Sequence, residues 1–214
     1  MRLTRAEFER RYADGDLRIA LIGMSNIGKS YTGMRLATSF DFELIEVDKL
    51  IRETLGHDDM DAFAAWQGQP YSEGYEAREA ESKALESAAT QKALDLKSGN
   101  AILDTTGSVI YTQKDVQENL ARDWFIIHIS ASEDAVERLK LQYFEQPKPL
   151  MWNGHYHCKR GQDPDAAILE CYPKLLASRA KEYAALADGT VASDVILDVN
   201  LTIQDIFERL KPAV

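Results

Sequence analysis

The chain has 214 residues, 45% of them hydrophobic, and a formal net charge of -10 at pH 7. Such a chain can bury a full core and suits one domain, which we predict over residues 1–214. The acidic balance argues against a nucleic-acid or membrane partner, because a phosphate-rich surface requires a basic stripe. Two cysteines do not make a disulfide framework, the N-terminus is too charged for a signal peptide, and no apolar run is long enough to span a bilayer. We therefore expect a cytoplasmic protein.

Apolar runs alternate with helical patterns along the chain. An N-terminal extension, residues 1–14, has the pattern of a short amphipathic packing helix at 4–13. Short apolar runs predict buried parallel strands at 18–22, 43–47, 101–104, 124–129 and 195–197. Helical patterns occupy 29–38, 48–55, 60–66, 73–96, 113–121, 133–143, 165–187 and 203–211. The alternation predicts an α/β fold with a three-layer, doubly wound, parallel five-stranded sheet and ligands beyond the carboxyl ends of its strands.

The octapeptide at 23–30 follows the first predicted strand and reads Gly-Met-Ser-Asn-Ile-Gly-Lys-Ser. It fits Gly-x4-Gly-Lys-Ser, a loop that holds nucleotide phosphates. The glycines let backbone N–H groups turn toward the β-phosphate, Lys29 reaches the β- and γ-oxygens, and the Ser30 hydroxyl can ligate Mg2+. The next helix directs its positive N-terminus at the same phosphates. We therefore predict that ATP and Mg2+ bind here, with nucleotide contacts from Gly23, Ser25, Asn26, Ile27, Gly28, Lys29, Ser30 and Tyr31.

Carboxylates follow two of the predicted strands. Glu46 and Asp48 stand two positions apart at the end of the second strand, and so on the same side of it. They can orient a substrate hydroxyl, take its proton or hold Mg2+ through water, although Asp48 also suits a helix cap. Asp104 ends the third apolar run, as an acid that supports Mg2+ does, or alternatively begins a turn. The predicted metal ligands are Ser30, Glu46 and Asp104.

The order of these features resembles the shikimate kinase family within the nucleoside-monophosphate-kinase-like fold, over about residues 17–210. Asp48-Lys-Leu-Ile is similar to the strand-end acid motif of that family. Ala-Arg78-Glu-Ala-Glu is similar to its Phe-Arg-x-x-Glu motif, with the phenylalanine missing. Lys148-Pro-Leu-Met resembles its lid motif Arg-Pro-Leu-Leu. The helical stretch around Arg179 resembles its Leu-Leu-x-x-Arg-x-x-x-Tyr helix.

The resemblance implies an ATP-dependent small-molecule kinase and a role for each matching residue. Arg78 and Arg179 would hold a substrate carboxylate, which suits the forked geometry of guanidinium groups. Arg138 would pack on adenine, and Lys148 would bring the positive charge of a mobile lid to the transferring phosphoryl group. Shikimate or a similar hydroxy acid is the leading acceptor. The implied catalytic residues are Lys29, Asp48 and Lys148, and the implied substrate ligands are Asp48, Arg78, Thr106, Gly107 and Arg179.

Two regions depart from the family pattern. Where the family has three glycines after its third strand, this chain has Thr105-Thr106-Gly107, which predicts a smaller or more polar acceptor pocket. The lid, predicted at 144–164, is longer and more aromatic than that of the family. Its histidines and Cys158 match no usual spacing of zinc ligands, so a lid that closes over ATP is preferred. Two alternatives stay open: the acceptor is a nucleoside, nucleotide or sugar acid, or the domain binds nucleotide without catalysis.

Overall fold

A computed structural model describes residues 2–56, 60–96, 99–145 and 150–213. Its centre is a five-stranded parallel sheet in the order β2-β3-β1-β4-β5. The strands are β1 (Arg18–Ile22), β2 (Glu43–Glu46), β3 (Ala101–Asp104), β4 (Phe125–Ser130) and β5 (Gly189–Ala192). The predicted α/β class and parallel five-stranded sheet are confirmed.

Helices flank the sheet, and each of those described, except α9, was predicted from the sequence. Their bounds are α1 (Arg5–Asp14), α2 (Lys29–Phe40), α3 (Val47–Leu55), α4 (Met60–Gln67), α5 (Tyr75–Asp95), α6 (Lys114–Asp123), α7 (Glu133–Glu145), α8 (Pro164–Leu186), α9 (Ser193–Ile196) and α10 (Ile203–Leu210), with a 3-10 turn at Val109–Tyr111. Because helices cover the sheet, nearly every residue of β1, β3 and β4 is buried, which explains their continuous apolar sequences. None of the helices in these described ranges has the length and apolar character needed to span a bilayer.

The last strand is not where the sequence predicted it. The run at 195–197 was predicted as a strand, but Val195 lies in the short helix α9. The edge strand is instead β5, in which Gly189 pairs with Ile127 and Val191 with Ile129 of β4. A less apolar segment becomes the strand because β4 offers it a free edge, while the helical turn of α9 buries Ile196 in the core.

The N-terminal helix α1 packs on the rest of the domain. It begins at a capping box between Thr4 and Glu7, which satisfies backbone N–H groups that would otherwise lack partners. Phe8 is fully buried and its ring meets Phe125 edge-on, with centroids 5.6 Å apart, and Phe207 at 5.8 Å. The extension is therefore part of the core, in keeping with the packing role expected from its pattern.

Residues 150–153, which belong to the predicted lid, are hydrogen-bonded to helices α4 and α5. The Gln67 amide and the Tyr75 hydroxyl donate to the Leu150 carbonyl at 3.0 and 2.8 Å. The Asn153 N–H donates to Glu79 Oε1 at 2.9 Å, and Trp152 is 2% exposed. Lys148 lies outside the described residues, so its role and the motion of the lid stay predictions.

Candidate active site

The loop between β1 and α2 has the geometry expected of a phosphate-binding loop. Gly23 has φ 144°, and a Cβ there would lie 2.6 Å from the Ile129 carbonyl oxygen, so only glycine fits. Gly28, with φ 106°, stands immediately before α2. The Lys29 ammonium group donates to the carbonyls of Gly23 at 3.1 Å and Met24 at 2.9 Å. The lysine thus arches back over its own loop with its charge facing the space that phosphates would fill.

Asp104 lies next to this loop, at the end of β3. Its neighbours along the sheet are Leu21 of β1 and Glu46 of β2. Burial raises the pKa of the Asp104 carboxyl, and the Lys29 charge and the Ser30 hydroxyl oppose that rise. Oδ1 of Asp104 is buried without a hydrogen-bond partner among the described residues. Such an oxygen beside Ser30 fits a metal ion.

A metal at this position would need ligands beyond the protein. Among the described residues, no three His, Cys, Asp or Glu side chains converge as a metal site. Mg2+ commonly takes one or two protein oxygens and completes its octahedron with phosphate oxygens and water. Ser30 and Asp104 are placed to be those protein ligands. Glu46 is exposed at the end of β2, and its predicted role stays a prediction.

A cavity of about 450 Å³ opens beyond the carboxyl ends of the strands, beside the phosphate loop. Its size suits a small molecule. On one side it is lined by Ser25, Asn26, Gly28, Lys29, Ser30 and Tyr31. Facing them, from four other parts of the chain, are Asp48, Glu86, Thr105, Thr106, Gly107, Ser108 and Arg179. The fold thus brings together most of the residues that the sequence assigned to nucleotide and substrate.

The turn after β3 is held against the phosphate loop at Gly107. A Cβ on Gly107 would lie 2.7 Å from Ser25 Oγ and 3.0 Å from its backbone N, so a side chain would push the two loops apart. The Gly107 carbonyl accepts hydrogen bonds from Arg179 and from the Tyr183 hydroxyl. Thr105 donates its hydroxyl to the Leu21 carbonyl at 2.8 Å. The one glycine kept from the family triplet is therefore the one that close packing requires.

Glu86 of α5 lines the cavity but was not predicted from the sequence. It is 3% exposed and accepts hydrogen bonds from the hydroxyls of Thr106 and Ser108. Burial raises the pKa of its carboxyl to about 7, against the two hydroxyls, which lower it. Helical spacing contained the signal: Ser82, Glu86, Ala89 and Ala93 form one buried stripe along α5, where an acid is costly unless it is partnered.

Arg179 of α8 lines the cavity and is hydrogen-bonded to two neighbouring segments of backbone. It is 3% exposed, and its Nη1 and Nη2 groups donate to the carbonyls of Gly107 at 3.0 Å and Met151 at 2.7 Å. Its guanidinium also lies over the Tyr111 ring, 5.1 Å from the centroid. A buried cation with these partners is fixed in position, which is what recognition of an anion requires.

The shikimate kinase family model matches residues 25–194, which is more than half of the chain. The chain belongs to the shikimate kinase family. The matched span holds Lys29, Asp48, Glu86 and Arg179. The predicted resemblance is confirmed, and membership makes the protein a small-molecule kinase whose nucleotide is expected to be ATP.

Solved structures of shikimate kinases share the fold. The enzyme from Bacteroides thetaiotaomicron is 19% identical, with a TM-score of 0.62 over 91% of this chain and 96% of that one. The enzyme from Acinetobacter baumannii, solved in complex with shikimate, is 18% identical, with a TM-score of 0.59 over 92% of each chain. The enzyme from Aquifex aeolicus is 18% identical, with a TM-score of 0.55 over 91% of this chain and 92% of that one. No curated protein sequence matches the chain.

In this member of the shikimate kinase family, the two arginines predicted to clamp the substrate are separated. Arg78 is not among the residues that line the cavity. Its Nε donates to the Gln67 carbonyl at 2.9 Å and its Nη1 to the Glu73 carbonyl at 3.0 Å. It thereby holds the loop between α4 and α5. The geometry supports a substrate role for Arg179 and gives none to Arg78.

The residue predicted to contact adenine lies on the surface of α7, and the phosphate loop has a different apolar neighbour. Arg138, predicted to pack on adenine, is an exposed residue of α7. The loop after α9 borders the phosphate loop: a Cβ on Gly28 would lie 3.4 Å from Leu197 Cδ2. Leu197 is 40% exposed. It was not predicted as a nucleotide contact because the run at 195–197 was assigned to a strand.

Proposed function

We propose that this kinase transfers the γ-phosphoryl group of ATP to a hydroxyl of a small hydroxylated anion, with shikimate or a similar hydroxy acid as the leading acceptor. The observation that carries the proposal is the position of Asp48 and Arg179, which line one cavity with Lys29 of the phosphate loop. A carboxylate that can orient a hydroxyl, a fixed cation for an anion and a phosphate-binding lysine are the parts that phosphoryl transfer to such an acceptor needs.

The position of each residue in the cavity suggests its role in the reaction. Lys29, with the backbone of its loop, neutralises the charge on the β- and γ-phosphates. Asp48 accepts a hydrogen bond from the acceptor hydroxyl and so aims its oxygen at the γ-phosphorus. Arg179 holds the anionic group of the acceptor. On the nucleotide side, Leu197 borders the phosphate loop at Gly28 and offers an apolar side chain on which the adenine ring packs.

Ser30 and Asp104 would hold Mg2+ together with the phosphate oxygens of ATP. When bound, Mg2+ supplies further charge neutralisation at the phosphates. The buried Oδ1 of Asp104, which lacks a hydrogen-bond partner among the described residues, supports this assignment. The charge of Lys29 and the hydrogen bond from Ser30 favour the ionised carboxyl that a metal ligand needs, against the rise in pKa that burial causes.

A sugar acid is a second candidate acceptor, favoured by the hydroxyl-rich wall at Glu86. Thr106, at a position where the family has a glycine, and the nearby Ser108 present side-chain oxygens beside that carboxylate. Such a wall suits a ligand with several hydroxyl groups, because each can donate to or accept from it.

An acceptor panel tests the proposal. ATP consumption is measured with shikimate, gluconate, nucleosides and nucleotides, using the wild type and Asp48→Asn. We expect turnover with a hydroxy acid, lowered about 10²- to 10⁴-fold in Asp48→Asn while ATP affinity is kept. Turnover with nucleosides or nucleotides only would contradict a hydroxy-acid acceptor and identify the acceptor as a nucleoside or nucleotide. Tight ATP binding with no turnover on any acceptor would show a nucleotide-binding domain without catalysis.

A further inference from the structure

The turn after β3 and the phosphate loop are in close contact at Gly107 and Ser25. Gly107 is not among the described glycines with a positive φ, so its backbone conformation does not itself require glycine. The requirement comes from distance, because an added Cβ would lie 2.7 Å from Ser25 Oγ and 3.0 Å from Ser25 N. The contact therefore limits how closely the two loops can approach each other.

Two buried side chains of α8 hold the same turn. The Gly107 carbonyl accepts hydrogen bonds from Arg179 Nη1 at 3.0 Å and from the Tyr183 hydroxyl. The two donors are four residues apart, and so on the same face of the helix, and Tyr183 is fully buried. Because Gly107 is bonded to α8 and also touches Ser25, its position relative to the phosphate loop is fixed.

Tyr183 and the phosphate loop pack on neighbouring residues of β4. The Tyr183 ring lies against the His128 ring, with centroids 5.3 Å apart. The next residue, Ile129, has the carbonyl oxygen that leaves room only for glycine at Gly23, where the phosphate loop begins. His128 is also the sheet partner of Ile22, the last residue of β1. The hydroxyl that holds the turn and the first residue of the loop therefore share one support in the centre of the sheet.

The turn is connected to the residues proposed to bind the acceptor. Thr106 lines the cavity and donates its hydroxyl to Glu86, and Arg179 lines the cavity as well. A displacement of Gly107 would move these groups, and with them a bound acceptor, relative to the phosphate loop. The phosphate loop would keep its own shape, because Lys29 is bonded to carbonyls within it. The distance between the acceptor and the γ-phosphoryl group would then change, with little change in the affinity for either.

We propose that Gly107 and Tyr183 set the spacing between the acceptor and the phosphate loop, and that Tyr183 is a positioning residue for phosphoryl transfer. Tyr183 holds the turn, and Ser25 limits its approach to the phosphate loop. Tyr183 is not among the residues that line the cavity, so it acts through Gly107 and not by touching the acceptor. In enzymes a misplacement of about 1 Å can cost about 10²-fold in rate. This inference rests on the proposed kinase function and adds the residues that fix its geometry.

Removal of the Tyr183 hydroxyl tests how the turn is held. Tyr183→Phe keeps the buried ring and leaves the Gly107 carbonyl with its bond from Arg179. The rate of phosphoryl transfer is measured in single turnovers by quenched flow, with shikimate or, if it is the better acceptor, gluconate. We expect this rate to fall about 10-fold, while the Kd values for acceptor and ATP change by less than about 2-fold. Tyr12→Phe on α1 loses a hydroxyl bond to the Phe40 carbonyl and is the control, with an unchanged rate.

Addition of one methyl group at Gly107 tests the contact with Ser25. Ordinary contact begins at about 3.4 Å, so the Cβ of Gly107→Ala, at 2.7 Å from Oγ, requires a separation of about 0.7 Å. Ser25→Ala removes Oγ and leaves the backbone N at 3.0 Å, which reduces the required separation to about 0.4 Å. We expect Gly107→Ala to slow transfer about 10- to 100-fold in the wild type and at least about 5-fold less in the Ser25→Ala background. Gly189→Ala, whose Cβ would lie 3.1 Å from Ile127 Cδ1 in the core, is the matched control and should leave the rate unchanged.

The outcomes separate a positioning role from a purely structural one. A transfer rate within about 2-fold of the wild type in folded Tyr183→Phe or Gly107→Ala would overturn the inference. A weaker acceptor affinity with an unchanged rate at saturation would also overturn it, as would an equal effect of Gly107→Ala with and without Ser25→Ala. In all these cases the wild type still phosphorylates its acceptor, so the proposed function stands. A wild type that phosphorylates no acceptor contradicts the proposed function, and this inference fails with it.

Discussion

The two sides of the cavity are built in different ways. On the nucleotide side, the Lys29 ammonium group binds carbonyls only five and six residues earlier in the chain. On the acceptor side, Arg179 reaches back 72 residues to Gly107 and 28 residues to Met151, and Glu86 reaches forward 20 residues to Thr106. One side is a local backbone motif, and the other is a network of side chains from distant elements.

This difference explains why the two sides can change independently. The phosphate loop depends on glycine conformations and close approach, so few substitutions are compatible with it. The proposed acceptor wall depends on hydrogen bonds between side chains, such as those that Thr106 and Ser108 donate to Glu86. A kinase family can therefore keep its nucleotide half and alter its acceptor by changing a few residues of the wall.

The largest expected effect lies on the nucleotide side. Lys29→Met removes the charge that faces the phosphates, and we expect kcat to fall by about 10³-fold or more in a coupled ATP assay. Lys181→Met, at an exposed position of α8, is the control and should retain full activity. A kcat within 10-fold of the wild type for a folded Lys29→Met protein would mean that the loop does not serve phosphoryl transfer.

At Arg179 we expect a smaller loss of activity, together with a loss of thermal stability. Arg179→Met removes the anion ligand and also leaves the carbonyls of Gly107 and Met151 without a donor. We expect kcat/KM for the acceptor to fall by about 10²-fold and Tm to fall by about 5–10 °C. The KM for ATP should stay nearly constant.

Arg209→Met, at an exposed position of α10, should show neither effect and serves as the control for Arg179→Met. A lowered Tm with unchanged acceptor KM would make Arg179 a structural residue only. That result would remove the side-chain network from acceptor binding and leave Asp48 to position the acceptor alone.

The pH dependence of stability reports on Glu86. Burial raises the pKa of its carboxyl from 4.5 to about 7, so between these values the folded state binds more protons than the unfolded state. The free energy of unfolding therefore falls as pH rises from 4.5 to about 7 through this group, by about 1–3 kcal/mol, and then levels off. Glu86→Gln, which cannot ionise, should lose this decline in urea titrations between pH 4.5 and 8.

Glu81→Gln, at an exposed position on the same helix, is the control for Glu86→Gln and should keep the wild-type decline. The same slope in wild type and Glu86→Gln would show that the carboxyl ionises as freely in the folded protein as in the unfolded chain. The acceptor wall would then carry a full negative charge at neutral pH, which would count against an anionic acceptor.

The smallest effect is expected at Arg78. Because its guanidinium holds the carbonyls of Gln67 and Glu73 outside the cavity, Arg78→Met should change the acceptor KM by less than about 2-fold and lower Tm by a few degrees. Arg10→Met on α1 is the exposed control. A KM rise of 10-fold or more would restore the two-arginine clamp that the family resemblance implies.

Features that depend on neighbours along the chain could be predicted from the sequence. The bounds of β1 and β3 match the predicted 18–22 and 101–104 because a strand buried on both faces must be continuously apolar. The phosphate loop could be predicted because its glycines, Lys29 and Ser30 all lie within residues 23–30. Asp48 and Arg179 were assigned through family motifs, and both line the cavity.

Tertiary structure alone decided the rest. β5 is Gly189–Ala192 because this segment pairs with the free edge of β4, although it is less apolar than the run at 195–197. Glu86 lines the cavity, and Arg78 does not, because α5 turns one toward the turn after β3 and the other toward the loop after α4. The sequence by itself predicted a nucleotide-binding loop, since that information is local. The shape of the acceptor site depends on contacts between distant elements, and only folding brings those side chains within reach of one another.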